Sequence, residues 1–208
     1  MLWIILGIAI SYFLGAIPTA YIFGRLLKGI DIRKFGSGNV GATNALRVLG
    51  KWPGITVLIL DVIKGVLPVV FLGDFLLLKS TLNPQAALII LGLSCIAGHN
   101  WTIFLNFKGG KGIATTLGVL IGLAFRIAGL KTILVLLILI WLSVFLITRI
   151  VSLASLISAL ALPVSMVLFK QSGILVITSV ILSVFVILRH KSNLSRIFRG
   201  KEAKLTFK

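Results

Sequence analysis

The strongest constraint on this chain is a succession of apolar runs long enough to cross a bilayer, separated by short polar stretches. A helical crossing needs about 20 apolar residues, because each residue rises about 1.5 Å through roughly 30 Å of hydrocarbon. Leu2 to Leu27 supplies one run, with Arg25 able to snorkel at its end. Pro53 to Leu78 supplies a second, carrying Asp61 and Lys64, and Ala86 to Phe107 a third, carrying His99, Asn100 and Asn106. The apolar region up to Ile150 is too long for one crossing and is divided near Gly129, between Arg126 and Lys131. Val151 to Phe169 and Ile174 to Leu188 complete a predicted set of seven transmembrane helices. The expected fold class is therefore all-α, a polytopic membrane protein. With no internal repeat or linker, residues 1–208 are read as a single domain.

Composition enters here as a check. Charged residues make up 12% of the chain, about half the share of a soluble domain, and mean hydropathy is +1.17. The first run lacks both a basic leader and a small-residue cleavage site, so it is expected to stay as an anchor. Cys95 is the one cysteine, which leaves no disulfide or thiolate metal site. The 21 Lys and Arg against four acids give a net charge of +17. On a membrane chain such an excess points to orientation, anionic headgroups and anionic substrates. Nucleic acid is not an expected partner, because the cations sit between apolar spans. They concentrate in the first loop (Lys28, Arg33, Lys34, Arg47, Lys51), at Lys108, Lys111 and Arg149, and in the tail after Leu188. The opposite loops hold Lys79, Arg126, Lys131 and Lys170. By the positive-inside rule the first group is cytoplasmic and the N-terminus outside.

Four polar groups fall on that predicted cytoplasmic face. Gly36 to Asn44 reads GSGNVGATN, with Arg47 three residues on. Gly36, Gly38 and Gly41 let backbone N–H groups approach a ligand, while Ser37, Asn39, Thr43 and Asn44 add side-chain donors, chemistry suited to phosphate. Ordinary interhelical turns use the same residues. Asp61 and Lys64, three apart in DVIKG, share a helical face and can pair, either at a site or as a clamp between helices. Gly98 to Gly112 places Lys108 and Lys111 around Gly109 and Gly110, with Gly112 just before a predicted helix N-terminus, and it is not a Walker A loop. In RHKSNLSRIFRGKE, His190, Asn193 and Arg196 fall on one helical face, whereas Arg199, Lys201, Lys204 and Lys208 read as a solvated or lipid-headgroup surface.

Absences narrow the chemistry further. Two histidines, one cysteine and four carboxylates argue against a dinuclear metal centre or a Cys/His nucleophile pair. The HxxxxD acyltransferase spacing is missing, since neither histidine has the aspartate, and so is the carboxylate set of the CDP-alcohol phosphotransferases. A transporter of an anionic phosphoester is the alternative from another class, but it needs polar residues at the midplane open to both sides. Here the outer halves of the spans are almost purely apolar.

GSGNVGATN with Arg47, DVIKG, GHNWTIFLNFKGGKGIATTLG, the Arg149-Ile150-Val151-Ser152 segment and RHKSNLSRIFRGKE stand in this order. In order and placement the set resembles the bacterial integral-membrane acyl-phosphate:glycerol-3-phosphate acyltransferases, over essentially the whole chain. The resemblance implies an enzyme of the inner membrane whose site opens to the cytoplasm. It would transfer a fatty acyl group from acyl phosphate to the 1-hydroxyl of glycerol 3-phosphate, giving lysophosphatidic acid and inorganic phosphate, with no cofactor, metal or protein partner. It further implies catalytic roles for Ser37, Lys111, His190 and Asn193. Substrate binding is implied for Gly36, Gly38, Asn39, Gly41, Thr43, Asn44, Arg47, Lys64, Lys108, Gly109, Gly110, Gly112 and Ser152. Lys64 and Asp61 are expected to brace the first glycine-rich loop.

Overall fold

A computed structural model describes residues 2–79 and 81–205, so the tail residue Lys208 lies outside the described residues. All regular structure among the described residues is helical. The chain divides into two compact units, Met1–Arg126 and Ile127–Lys208.

In the first unit, α1 (Leu2–Ala16) and α2 (Thr19–Lys28) together form an apolar stretch long enough to cross a membrane. The sequence suggests an unbroken run there, and the structure interrupts it at Ile17-Pro18. Proline lacks an N–H and disfavours helical backbone in the residue before it. Carbonyls at the break are met from elsewhere: Thr102 Oγ1 donates to Ala16 O at 2.6 Å and Lys64 Nζ to Ile17 O at 3.0 Å. Hydrocarbon tolerates a broken helix only with such replacement partners. A short helix α3 (Ala42–Val48) leads into α4 (Lys51–Leu67), which passes through a widened turn at Pro68–Leu72 into α5 (Gly73–Lys79). Pro68 cannot donate to the helical ladder, and the wider turn absorbs that loss.

Helix α6 (Pro84–Asn100) begins at Asn83, whose side chain accepts from Gln85 N at 2.9 Å and Ala86 N at 3.3 Å. Helix α7 (Ile113–Arg126) packs tightly on α4. A methyl group on Gly65 would collide with Thr115 O, and one on Gly118 with Val62 O, so the missing side chains set the approach of these two helices. At 14 residues α7 rises about 21 Å, short of a full hydrocarbon crossing.

The second unit holds α8 (Leu130–Thr148), α9 (Val151–Leu168), α10 (Gly173–Arg189) and α11 (Lys191–Phe198). The predicted division near Gly129 is present, with Gly129 at φ 82° starting α8. Ser158 Oγ donates to Leu137 O at 3.0 Å and Trp141 Nε1 to Ser155 Oγ at 3.2 Å, joining α8 to α9 with hydrogen bonds inside an apolar surround. At His190 the chain bends by 64° from α10 into α11. By length and composition five helices among the described residues can cross a membrane, or six if that bent pair is one span. The seven predicted from hydropathy include α7, which is apolar but short.

Candidate active site

The first glycine-rich run is organised by Asn44. This side chain is 1% exposed, donates through Nδ2 to Asn39 O (2.9 Å), Phe35 O (3.1 Å) and Ile32 O (3.3 Å), and accepts from Ser37 N–H through Oδ1 (2.8 Å). Read from sequence as a ligand donor, Asn44 is instead fully engaged by its own loop. Gly36 and Gly38 turn the backbone with φ of 59° and 71°, and a β-carbon on Gly36 would strike Asn44 Oδ1. The Ser37 side chain and Arg47 remain exposed, while Asn39, Gly41 and Thr43 are half-buried. At the base of the loop Arg33 grips Asp31, Nε to Oδ1 at 3.0 Å and a terminal nitrogen to Oδ2 at 2.7 Å. Those bonds hold the Asp31 carboxyl at about 2, below its usual 3.8. Arg25 and Arg33 also lie against the Tyr21 ring, at 5.2 and 5.3 Å.

The FKGGKG run folds back on the end of α6. Gly110 N–H donates to His99 O at 3.0 Å and Gly109 N–H to Asn100 O at 3.1 Å. These two amides, expected to face an anion, are therefore turned inward. The glycines are needed for this fold-back, since a β-carbon at 109 would meet His99 O and one at 110 the His99 imidazole. Lys108 is exposed, Lys111 half-buried, and Gly112, at φ 79°, leads into α7. One buried cluster contains Val40 and Ala45 from the first loop and helix together with Leu105, just ahead of the second loop. Both glycine-rich runs thus rest on the same core.

The Asp61–Lys64 pair is fully interior, Asp61 1% and Lys64 6% exposed, with Lys64 Nζ 2.7 Å from Asp61 Oδ1. Its partners are Thr19 Oγ1, which donates to the same oxygen at 2.7 Å, Ile17 O, and His99, whose Nδ1 lies 3.8 Å from Oδ1. Asp61 Oδ2 has no hydrogen-bond partner among the described residues. Expected to brace the Gly36–Asn44 loop, the pair instead ties the α1–α2 break to α6. Lys64, expected among the substrate-binding residues, has both bonds directed into the protein.

In the second unit Glu202 gathers three predicted or neighbouring residues. It accepts from Asn193 Nδ2 (2.5 Å), Ser152 Oγ (2.8 Å) and Arg196 Nε (2.6 Å). Burial pushes the Glu202 carboxyl up, but the three donors outweigh it and hold the carboxyl below its usual range. His190, 3% exposed, has Nδ1 2.8 Å from Val186 O. A carbonyl only accepts, so Nδ1 carries the hydrogen and Nε2 is the basic nitrogen of the neutral ring. Leu205 N–H donates to Arg149 O at 2.8 Å, which returns the tail to the start of α9.

Thr19 and Glu202 are the residues that sequence reasoning did not select. Glu202 carried a signal, being the lone acid in a cationic tail. Thr19, an unremarkable hydroxyl in an apolar run, carried none. Among the described residues no three His, Cys, Asp or Glu side chains gather as a metal cage.

Known proteins of similar sequence and fold place the chain in a family. The model of the family described as glycerol-3-phosphate acyltransferase matches residues 5–200. A glycerol-3-phosphate acyltransferase of Prochlorococcus marinus (strain NATL2A) is 45% identical over 199 residues, covering 94% of each chain. One from Fusobacterium nucleatum is 42% identical over 200 residues, covering 96% of this chain and 97% of the relative. Two crystal structures of PlsY, an integral membrane glycerol 3-phosphate acyltransferase, superpose at 32% identity over 98% of this chain. The glycerol 3-phosphate form gives a TM-score of 0.86 over 96% of that chain, the lysophosphatidic acid form 0.82 over 95%. With a family match that runs through both compact units and relatives above 40% identity over nearly their whole length, this chain belongs to the glycerol-3-phosphate acyltransferase family.

Proposed function

We propose that this enzyme, a multi-pass membrane glycerol-3-phosphate acyltransferase, takes its acyl group from an acyl phosphate and delivers it to the 1-hydroxyl of glycerol 3-phosphate. The products are lysophosphatidic acid and inorganic phosphate. The observation that carries this reading is the family match from residue 5 to 200, which includes both glycine-rich runs and the His190 to Asn193 segment. A donor and an acceptor that each bear a phosphate call for two anion-binding elements, and two glycine-rich runs with cations beside them support that reading.

The hydroxyl oxygen attacks the acyl carbonyl carbon, the bond from that carbon to the phosphate oxygen breaks, and the hydroxyl proton passes to the departing phosphate. A phosphomonoester's second pKa is about 6, and by that measure the acyl-linked phosphate is a competent acceptor, so the protein need not supply a base. The protein's part is positioning and electrostatics. The Ser37 hydroxyl, the turned backbone at Gly36, Gly38 and Gly41, Asn39, Thr43, Lys108 and the Gly112 end of α7 serve the donor. Asn44, Gly109 and Gly110 shape the loops that carry these groups. Arg47 and Lys111 serve the acceptor phosphate, and acceptor use depends also on Ser152, His190 and Asn193. We further assign the protein to the bacterial inner membrane, with seven crossings, the N-terminus outside and catalysis at the cytoplasmic face. It works as a single functional domain among membrane lipids, without a metal, cofactor, protein partner or nucleic acid.

The test is incubation of purified protein with acyl phosphate and labelled glycerol 3-phosphate, beside parallel reactions offered acyl-CoA or acyl carrier protein. Labelled lysophosphatidic acid from acyl phosphate alone supports the reading. Product only from a thioester overturns the donor assignment, and glycerol 3-phosphate uptake into liposomes without product supports transport.

A further inference from the structure

We propose that Thr19 is a positioning residue that acts through Asp61 and His99 on the FKGGKG loop, so that the break in the first span controls the geometry of a loop far away in sequence. This rests on the reading of that loop as part of the acyl-phosphate site.

The geometry is a buried node built on one oxygen. Asp61 Oδ1 receives Thr19 Oγ1 and Lys64 Nζ, each at 2.7 Å, and faces His99 Nδ1 at 3.8 Å. Its other oxygen accepts no hydrogen bond among the described residues. The rotation of the carboxylate is therefore fixed through Oδ1 alone, and Thr19 supplies one of its two hydrogen bonds. Lys64 is held in turn by Ile17 O at 3.0 Å, and its own carbonyl accepts from Cys95 Sγ at 3.1 Å. The node thereby spans α4, α6 and both sides of the Pro18 break. In an interior of low dielectric the direction of a carboxylate weighs heavily on a ring 3.8 Å away. His99 passes that influence on twice, because its carbonyl holds Gly110 N–H and its imidazole lies where a side chain on Gly110 would stand.

Thr19→Val is the informative variant. It keeps the volume, removes only the hydroxyl donor, and leaves Lys64 opposite Asp61, so no buried charge loses its counter-ion. Thr19→Ser is the conservative rescue. In nanodiscs, hydrogen exchange in peptides covering residues 107–112 is expected to quicken about fivefold in Thr19→Val, with the flanking helical peptides unchanged. The kcat/KM for acyl phosphate should fall about tenfold while the KM for glycerol 3-phosphate stays within about twofold, and Thr19→Ser should restore both readouts. Unchanged exchange at 107–112 overturns the proposal. So does faster exchange throughout the first unit with a lowered melting temperature, which marks a structural role only. If the wild-type protein makes no product from acyl phosphate, the donor reading falls, and the exchange comparison still decides whether Thr19 sets the loop.

Discussion

Asn193 and Ser152, forty-one positions apart in sequence, donate to the same oxygen of Glu202, Nδ2 at 2.5 Å and Oγ at 2.8 Å. The carboxylate therefore fixes two proposed acceptor-binding side chains at once, while Arg196 holds its other oxygen at 2.6 Å. Glu202→Ala should remove all three anchors, lowering the unfolding free energy by about 2 kcal/mol and raising the KM for glycerol 3-phosphate. Glu202→Gln keeps an acceptor for Asn193 and Ser152 but loses the charge opposite Arg196, so its defect should be the smaller. Chemical denaturation in detergent and a steady-state assay check both.

Acid stability should depend on Glu202 and Asp31. Both carboxyls are held below their ordinary values, so each contributes stability that is fully present above the ordinary value and is lost as pH falls through the lowered one. For Asp31 that window runs from 3.8 down to about 2. Unfolding midpoints across this range should fall more steeply in the wild type than in Asp31→Asn.

Asn44→Ala leaves the Ser37 amide without its acceptor and takes the side-chain donor from three backbone carbonyls, of which Ile32 O and Phe35 O keep the N–H groups of Phe35 and Gly38. Loss of about 1–3 kcal/mol of stability is expected, together with a lowered kcat/KM for acyl phosphate. Asn44→Asp retains the acceptor for Ser37 N–H but cannot donate, and should recover only part of the loss. Melting temperature and donor kinetics measured together separate the two effects.

Gly110→Ala places a methyl group against the His99 ring. Because that imidazole is buried, the loop must move, and turnover should drop by at least about tenfold. A variant as active as wild type would show that the fold-back is dispensable.

His190→Ala tests where the proton goes. If the departing phosphate accepts it, the rate should keep a pH dependence near that phosphate's second pKa of about 6, with the main defect in the KM for glycerol 3-phosphate. Abolished turnover at saturating substrate with binding intact would make the histidine the base.

Hydropathy located the apolar runs, because each is a local property of about twenty consecutive residues. The Pro18 break and the short α7 were less visible, since both depend on partners that meet the freed backbone or cover a short helix. The two glycine-rich runs stood out for their composition. What composition could not convey was which polar groups face inward. Asn44, Gly109 and Gly110 have the chemistry of ligand donors, yet their hydrogen bonds go to nearby backbone, a choice made by the path of the chain. Glu202 lies 50 positions from Ser152, and Thr19 lies 42 from Asp61. No periodicity links such pairs.

The interruption at Pro18 also bears on the order in which the chain can be completed during synthesis. Ala16 O obtains its donor from Thr102, 86 positions downstream, whereas Ile17 O already has Thr19 N–H at 3.1 Å and gains Lys64, 47 positions on. When the first segment leaves the ribosome Thr102 has not been made. The segment enters the bilayer with the Ala16 carbonyl unmet, and that carbonyl is satisfied only once the third apolar run has followed it in.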